Sequence, residues 1–491
     1  MAAKLDSKIS SLYQPLEPNQ VRLLQLNPDA NAIDLGGFKV VDLCDTPPYY
    51  ALSHSWTSQD RYTNVSVGGY PLTLATDLVA CVKRLSQLWH KKTDLKPHVQ
   101  YAWIDSICID QSNLAERSAQ VALMGRLYRG SIRTLIWLGD DDDNCFEAWT
   151  LLDHIYTICR QQNPTVSDPS DIPARIFLQS AHDASGLPAW DDQKWTHLAR
   201  LMQRRWFSRI WVVQEVALSR LDPVVLHGDH CYPWSRIGWA AAWFRKNGYM
   251  RLPQIPEMLR NVYSMTPLRQ AGELWPLDAL VAMTQIKFNA TDQRDKIYGL
   301  LGLAREFQDP FDLPDELQPD YTIDMAELCP KMARFMLGRS RSLALLTRAR
   351  GLGGTISRKQ RAQDLDLPSW CPDWSDLVIP NEGIATSLSW VDWKERSKPA
   401  RFGFLKQFSA SAGIELDMED HVEDPRTLAL RGIRVSEVEN VTPFAVNLSR
   451  KTEPEEPFTA QMIQILSQAL RLLRRHSSCH TGIEPVPIEG R

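Results

Sequence analysis

A chain of 491 residues exceeds one ordinary hydrophobic core, so two or three domains are expected. Its 44% hydrophobic and 23% charged content excludes wholesale disorder, and a net charge of −4 excludes a general attraction to nucleic-acid phosphates. The 9 cysteines form no CxxC pair, the start of the chain has no leading apolar core, and no run reaches about 18 apolar residues, so the reading is a reduced, cytoplasmic chain with no membrane span.

Residues 21–26 and 38–43 are apolar or alternating runs on either side of Asn27-Pro28 and Gly36-Gly37. That is a hairpin signature, and 1–46 reads as an N-terminal β-hairpin extension. Pro47-Pro48 breaks the chain, and Tyr49-Tyr50-Ala51-Leu52-Ser53-His54-Ser55-Trp56 reads as a buried strand with a polar end. Gly68-Gly69 marks a further hairpin, and Leu74, Leu78, Val82, Leu85 and Leu88 recur at helical spacing. Ala102-Trp103-Ile104 is a short strand that ends at Asp105, and Asn113 with Glu116 is a capping pair for a long helix. Thr134-Leu135-Ile136-Trp137-Leu138, closed by Gly139, is the next short apolar run. Strand, helix and strand imply parallel pairing and a site at the carboxyl ends of the strands, the edge that residues 105–111 would occupy.

Further along, 146–159 continues as a helix, and 160–193 is rich in Pro, Ser and Asp without periodicity, which suggests an insertion of loop character. In 204–216, Phe207, Ile210 and Trp211 share one helical face. The remainder, 231–491, reads as a mostly helical region with some strands. Its most distinctive segments are 292–302, where Arg and Asp precede an apolar Gly-bearing run, and 367–375, pinned by two prolines and two tryptophans. The three parts are therefore 1–46, 47–230 and 231–491.

Three blocks now stand in order: Tyr49-x-Ala51-Leu52-Ser53-His54-x-Trp56; Trp103-Ile104-Asp105-Ser106-x-Cys108-Ile109-x-Gln111 with Glu116-Arg117 and Tyr128; and Arg205-Trp206-Phe207-x-Arg209-x-Trp211-Val212-x-Gln214-Glu215. They resemble the blocks of the fungal heterokaryon incompatibility (HET) domain. Thr57 stands where that family usually has glycine, and His54 where it usually has tyrosine. The HET domain is considered similar to Toll/interleukin receptor (TIR) domains. The resemblance thus implies a TIR-like, flavodoxin-like α/β fold with a mainly parallel sheet flanked by helices over 47–230. It also implies cell death on non-self recognition, a homo-oligomer formed through the HET domain, and an unknown protein partner.

In TIR enzymes the glutamate of a Trp-x-x-x-Glu motif splits NAD into nicotinamide and an ADP-ribose product, and Trp211 and Glu215 have that spacing, which places both on one helical face. The resemblance therefore implies that Glu215 is catalytic and that Ser53, His54, Trp56, Asp105 and Trp211 line an NAD site, with NAD as substrate, no cofactor and no metal. Breaking the bond to nicotinamide leaves positive charge on the ribose, which a nearby anion stabilises. Other readings stay open: Glu215 as a helix residue paired with Arg209 or Arg205, Asp105 as a cap, Trp56 as core, and the whole domain as a non-catalytic signalling module. Cys108 lies between Ile107 and Ile109 and reads as packing rather than as a thiol nucleophile with His54. The groups His227, His230, Cys231 and His476, Cys479, His480 lack paired ligand sets, and Asp140 to Asp143 reads as a solvated turn.

Overall fold

The computed structural model describes residues 12–29, 31–55, 61–90, 99–140, 145–270, 274–284, 288–308, 314–349 and 366–374, with short pieces between 391 and 431. The chain divides into two compact units, Met1–Leu377 with Ser387–Arg431 and Val378–Thr386 with Gly432–Arg491. All described residues lie in the first. The segment with His476, Cys479 and His480 lies outside them, as does Trp56.

In chain order the elements are β1 (Gln20–Leu26), β2 (Gly36–Asp42), β3 (Tyr49–His54), β4 (Tyr62–Val67), β5 (Tyr70–Ala75), α1 (Thr76–His90), β6 (Tyr101–Trp103), α2 (Leu114–Gly130), β7 (Thr134–Trp137) and α3 (Cys145–Gln162). They continue with α4 (Gln193–Met202), α5 (Val212–Ala217), β8 (Val224–His227), β9 (His230–Pro233), α6 (Trp234–Lys246), α7 (Leu259–Gln270), α8 (Leu277–Thr284) and α9 (Met325–Ser340). A seven-stranded sheet has the order β2-β1-β6-β3-β7-β8-β9. Its inner strands β6, β3, β7 and β8 are parallel, with Ala51 opposite Trp103, Ser53 opposite Ile136, and Ile136 opposite Val225. Helices flank the sheet and dominate the described part of the chain beyond it.

The sheet is mixed rather than mainly parallel, which corrects the expectation. Hairpins close both ends: β2–β1 and β8–β9 are antiparallel, and so is the junction β1–β6. Antiparallel strands need only a tight turn between them, so such edges are added at little cost in chain length. The N-terminal hairpin is thus not set apart from the sheet, because β1 pairs with β6 through Leu24 opposite Ala102. The reason is visible in β1 itself: Val21, Leu23 and Leu24 are fully buried, so both faces of the strand are covered, as in an inner strand. The Gly68-Gly69 turn takes φ of 59° and 80° and joins β4 to β5 in a separate two-stranded sheet.

The helix α2 crosses from β6 to β7. Its start is capped by Asn113, whose side chain accepts from the Ala115 and Glu116 amides. Glu116 does not complete a capping box with Asn113. It accepts instead from the Asp110 amide (2.8 Å) and from Arg22 of β1 (3.1 Å to the second guanidinium nitrogen), because Arg22, 1% exposed, needs an anion inside the fold. Asn113→Ala is expected to lower stability by about 1 kcal/mol through the lost cap, and chemical denaturation would measure it. An unchanged midpoint would show that the first turn is held by tertiary contacts alone.

The 160–193 stretch is packed rather than loose. His182 stacks on Trp190 at 4.1 Å, Trp190 lies 5.0 Å from Trp195, and Phe177 meets Tyr249 edge-on at 4.9 Å. It contains the short helix Gln179–Ala184, which carries His182, and aromatic stacking holds it in place.

Candidate functional site

The parallel strands, numbered along the chain, lie in the spatial order second, first, third, fourth, so the direction of winding reverses beside β3. In open α/β sheets ligands bind outside the carboxyl ends of the strands at such a reversal. Ser53 and His54 end β3, and Asp105 follows β6 and opens the helical turn Asp105–Cys108. From the other side the turn Arg205–Ser208 leads into α5, which carries Glu215.

Glu215 is 2% exposed. Its carboxylate accepts from the Ser53 hydroxyl, and the Ser53 oxygen accepts in turn from the Trp206 indole at 2.7 Å. The Tyr128 hydroxyl donates to the Leu52 carbonyl at 3.1 Å and lies near enough to the Glu215 carboxyl to influence its titration. Burial pushes the Glu215 pKa up to about 7, with Asp105 adding to the rise, while Arg209 and the two hydroxyls oppose it. The carboxyl therefore exchanges a proton near neutrality.

His54 is also buried. Its Nδ1 stands 3.7 Å from Asp105 Oδ1 and its Nε2 3.2 Å from the Ser106 hydroxyl. Burial lowers its pKa to about 4 against the pull of Asp105, and Arg209 adds to the lowering, so the imidazole is neutral at pH 7. Asp105 keeps 16% of its side chain exposed and accepts from the Ser106 amide at 2.6 Å. It sits at the first position of the turn, whose N-cap is Ile104, and its carboxylate is the most accessible of the group.

The structure brings together Glu215, Ser53, His54 and Asp105. It does not bring Trp211 with them: the Trp211 indole donates to Asp295 at 2.9 Å. The two arginines considered as partners of Glu215 also turn elsewhere. Arg209 donates to the His54 carbonyl and reaches Glu215 only through its field, and Arg205 donates to Thr291 at 2.9 Å. Tyr128 and Trp206 are the contributors that sequence reasoning passed over. Both lie inside the three blocks, and a hydroxyl or indole among apolar neighbours was the available signal. Cys108 is wholly buried and its thiol is pushed up to about 12, as befits packing. Among the described residues no group of three or more His, Cys, Asp or Glu could hold a metal ion. Also among them, no helix is long and apolar enough to cross a membrane.

A buried carboxyl poised between its two protonation states, beside a neutral imidazole and an accessible carboxylate, can give or take a proton or face a developing cation. Residues 49–215 match the family model described as heterokaryon incompatibility protein (HET). The chain is 26% identical over 417 residues to heterokaryon incompatibility protein 6, OR allele, of Neurospora crassa. That match covers 73% of this chain and 58% of the relative, so the chain spans little more than half of the relative's length. No solved structure matches the chain.

Proposed function

We propose that this chain, whose residues 49–215 form a fungal heterokaryon incompatibility domain, is an incompatibility factor that triggers cell death by splitting NAD into nicotinamide and an ADP-ribose product. The observation that carries the reading is Glu215: a carboxyl with its pKa near 7, at the carboxyl ends of the parallel strands, beside Ser53, His54 and Tyr128. The second-first-third-fourth strand order is also that of flavodoxin-like sheets and supports a TIR-like fold.

In the reaction the bond from the nicotinamide nitrogen to the ribose breaks, its electron pair leaves with nicotinamide, and the ribose carbon becomes cationic. The Glu215 anion stabilises that cation. Water adds to the carbon, and the proton it sheds passes to Glu215 or to solvent. Asp105, the accessible carboxylate, holds a ribose hydroxyl, and neutral His54 fixes Asp105 and Ser106 around it. Trp211 leaves the substrate site and serves as an anchor for α5. Because Ser53, His54 and Glu215 are buried in the single chain, the site opens when copies associate through the HET domain after an unknown partner is recognised in the cytoplasm.

The test is nicotinamide release from NAD by the purified full chain across a concentration series, followed by chromatography. Release that climbs more steeply than protein concentration is expected. The burial of Glu215 favours a second reading, a non-catalytic module acting by self-association. Absent release at every concentration, with cell killing retained on overexpression, would establish that second reading.

A further inference from the structure

We infer that residues 289–302 are an intramolecular clamp that holds α5, and with it Glu215, in its buried position. The inference rests on the reading of Glu215 as the working carboxylate and adds how that site is regulated. A six-residue helix cannot hold itself in water, so its position is set by what packs on it. On its inner side the contacts are those of the site: Trp206 with Ser53, Arg209 with the His54 carbonyl, and Glu215 with Ser53.

On the outer side, beside Arg269 and Asn261 of α7, which donate to the Val216 and Phe207 carbonyls, a segment far along the chain grips the stretch 205–211 that leads into α5. The Ile210 amide donates to the Asn289 carbonyl at 2.9 Å, and the Asn289 amide donates to the Ser208 carbonyl at 2.5 Å. Arg205 reaches Thr291, and Trp211 reaches Asp295. Asp295 also accepts from the Tyr321 hydroxyl at 2.7 Å, and the Arg117 guanidinium of α2 lies 3.8 Å over the Tyr321 ring. Asp295 is a buried carboxylate whose hydrogen bonds join Trp211, at the entry to α5, to Tyr321, with Arg117 of α2 4.0 Å away. Such a group is costly to leave with a missing partner, so the arrangement is held together or lost together. At the far end Gly302 touches α2: a Cβ there would stand 2.6 Å from Gly125 Cα and 2.8 Å from Gln214 Oε1.

The stretch 205–215 is therefore gripped between the site and the clamp, and Glu215 cannot be uncovered while both hold. An agent that draws 289–302 away removes this outer set of contacts without touching the site and leaves α5 held by Thr134, which donates to the Glu215 carbonyl at 2.7 Å, and by Arg269 of α7, which donates to the Val216 carbonyl at 3.1 Å.

Tyr321→Phe removes one hydroxyl, Asp295→Asn removes the charge, and Gly302→Ala drives a methyl between the clamp and α2. In the full chain, amide exchange over 212–217 should quicken about tenfold in Tyr321→Phe and more in the other two, with the β1–β2 hairpin unchanged. Cell killing on expression should rise in step and vanish when Glu215→Gln is added. Tyr321→Phe decides the matter if Gly302→Ala proves unfolded. Exchange at the wild-type rate in folded Tyr321→Phe and Asp295→Asn overturns the clamp, as does faster exchange with unchanged or reduced killing. Faster exchange with more killing but no nicotinamide release keeps the clamp and sinks the NAD reading.

Discussion

Glu215→Gln should slow nicotinamide release about 10²–10⁴-fold while leaving the fold intact. Glutamine has the same length and nearly the same helix propensity, so α5 loses nothing locally. Its amide oxygen can accept from Ser53 and its amide nitrogen can donate to the Tyr128 oxygen, so both hydroxyls keep a partner. What disappears is the charge and the exchangeable proton. Initial rates of release, read beside melting temperature and self-association, separate these effects. A rate within threefold of wild type would remove Glu215 from the chemistry, and a collapsed melting transition would make it a structural residue.

The same variant carries a pH signature. Glu215 is shifted from an ordinary 4.5 to about 7, so the folded state holds more protons than the unfolded one between those values, and its contribution to stability falls as pH rises through that window. His54 is shifted from 6.5 to about 4, so there the folded state holds fewer protons, and its contribution rises with pH between about 4 and 6.5. The two oppose each other over most of their range. Glu215→Gln removes one of them, so its stability relative to wild type should increase steadily from pH 4.5 to 7 and level off above. Melting curves across that range test the sign directly, and a flat difference would mean that Glu215 titrates normally.

The inner strands were legible because each is a short apolar run with a clear stop: Pro47-Pro48 before β3, Asp105 after β6, Gly139 after β7. Once those runs are parallel, Ser53, His54 and Asp105 must share an edge, which is why their assembly could be read ahead of the fold. The place of β1 could not, since a hairpin's own pattern does not say which sheet it joins. The resemblance to the Trp-x-x-x-Glu motif places Trp211 at the site through its four-residue spacing to Glu215. That spacing fixes a helical face, but the partner that decides where the indole goes is Asp295, 84 residues further on. Glu116 shows the same limit: its capping spacing is present, yet the buried Arg22 claims the carboxylate. Local spacing was overruled where a distant buried charge or donor needed a partner.

Trp137→Ala should cost about 3–5 kcal/mol, the usual loss for truncating a core aromatic. The loss appears as a lower melting temperature, readable by calorimetry. Trp137 is buried, lies opposite His54 and Leu226 in the sheet, and its indole donates to Asp77 at 3.0 Å. Burial already raises the pKa of Asp77, and removing the indole takes away the hydrogen bond that counters it. Trp103→Ala should cost about as much, because Trp103 is fully buried, but its consequence for the site differs. Trp103 meets the Tyr128 ring edge-on at 5.6 Å, and Tyr128 is the hydroxyl that reaches Glu215. At a temperature where both variants are folded, Trp103→Ala should therefore move the pH window of Glu215, and Trp137→Ala should leave it in place. An unshifted window in Trp103→Ala would mean that Tyr128 is held by the backbone of α2 and not by the tryptophan beneath it.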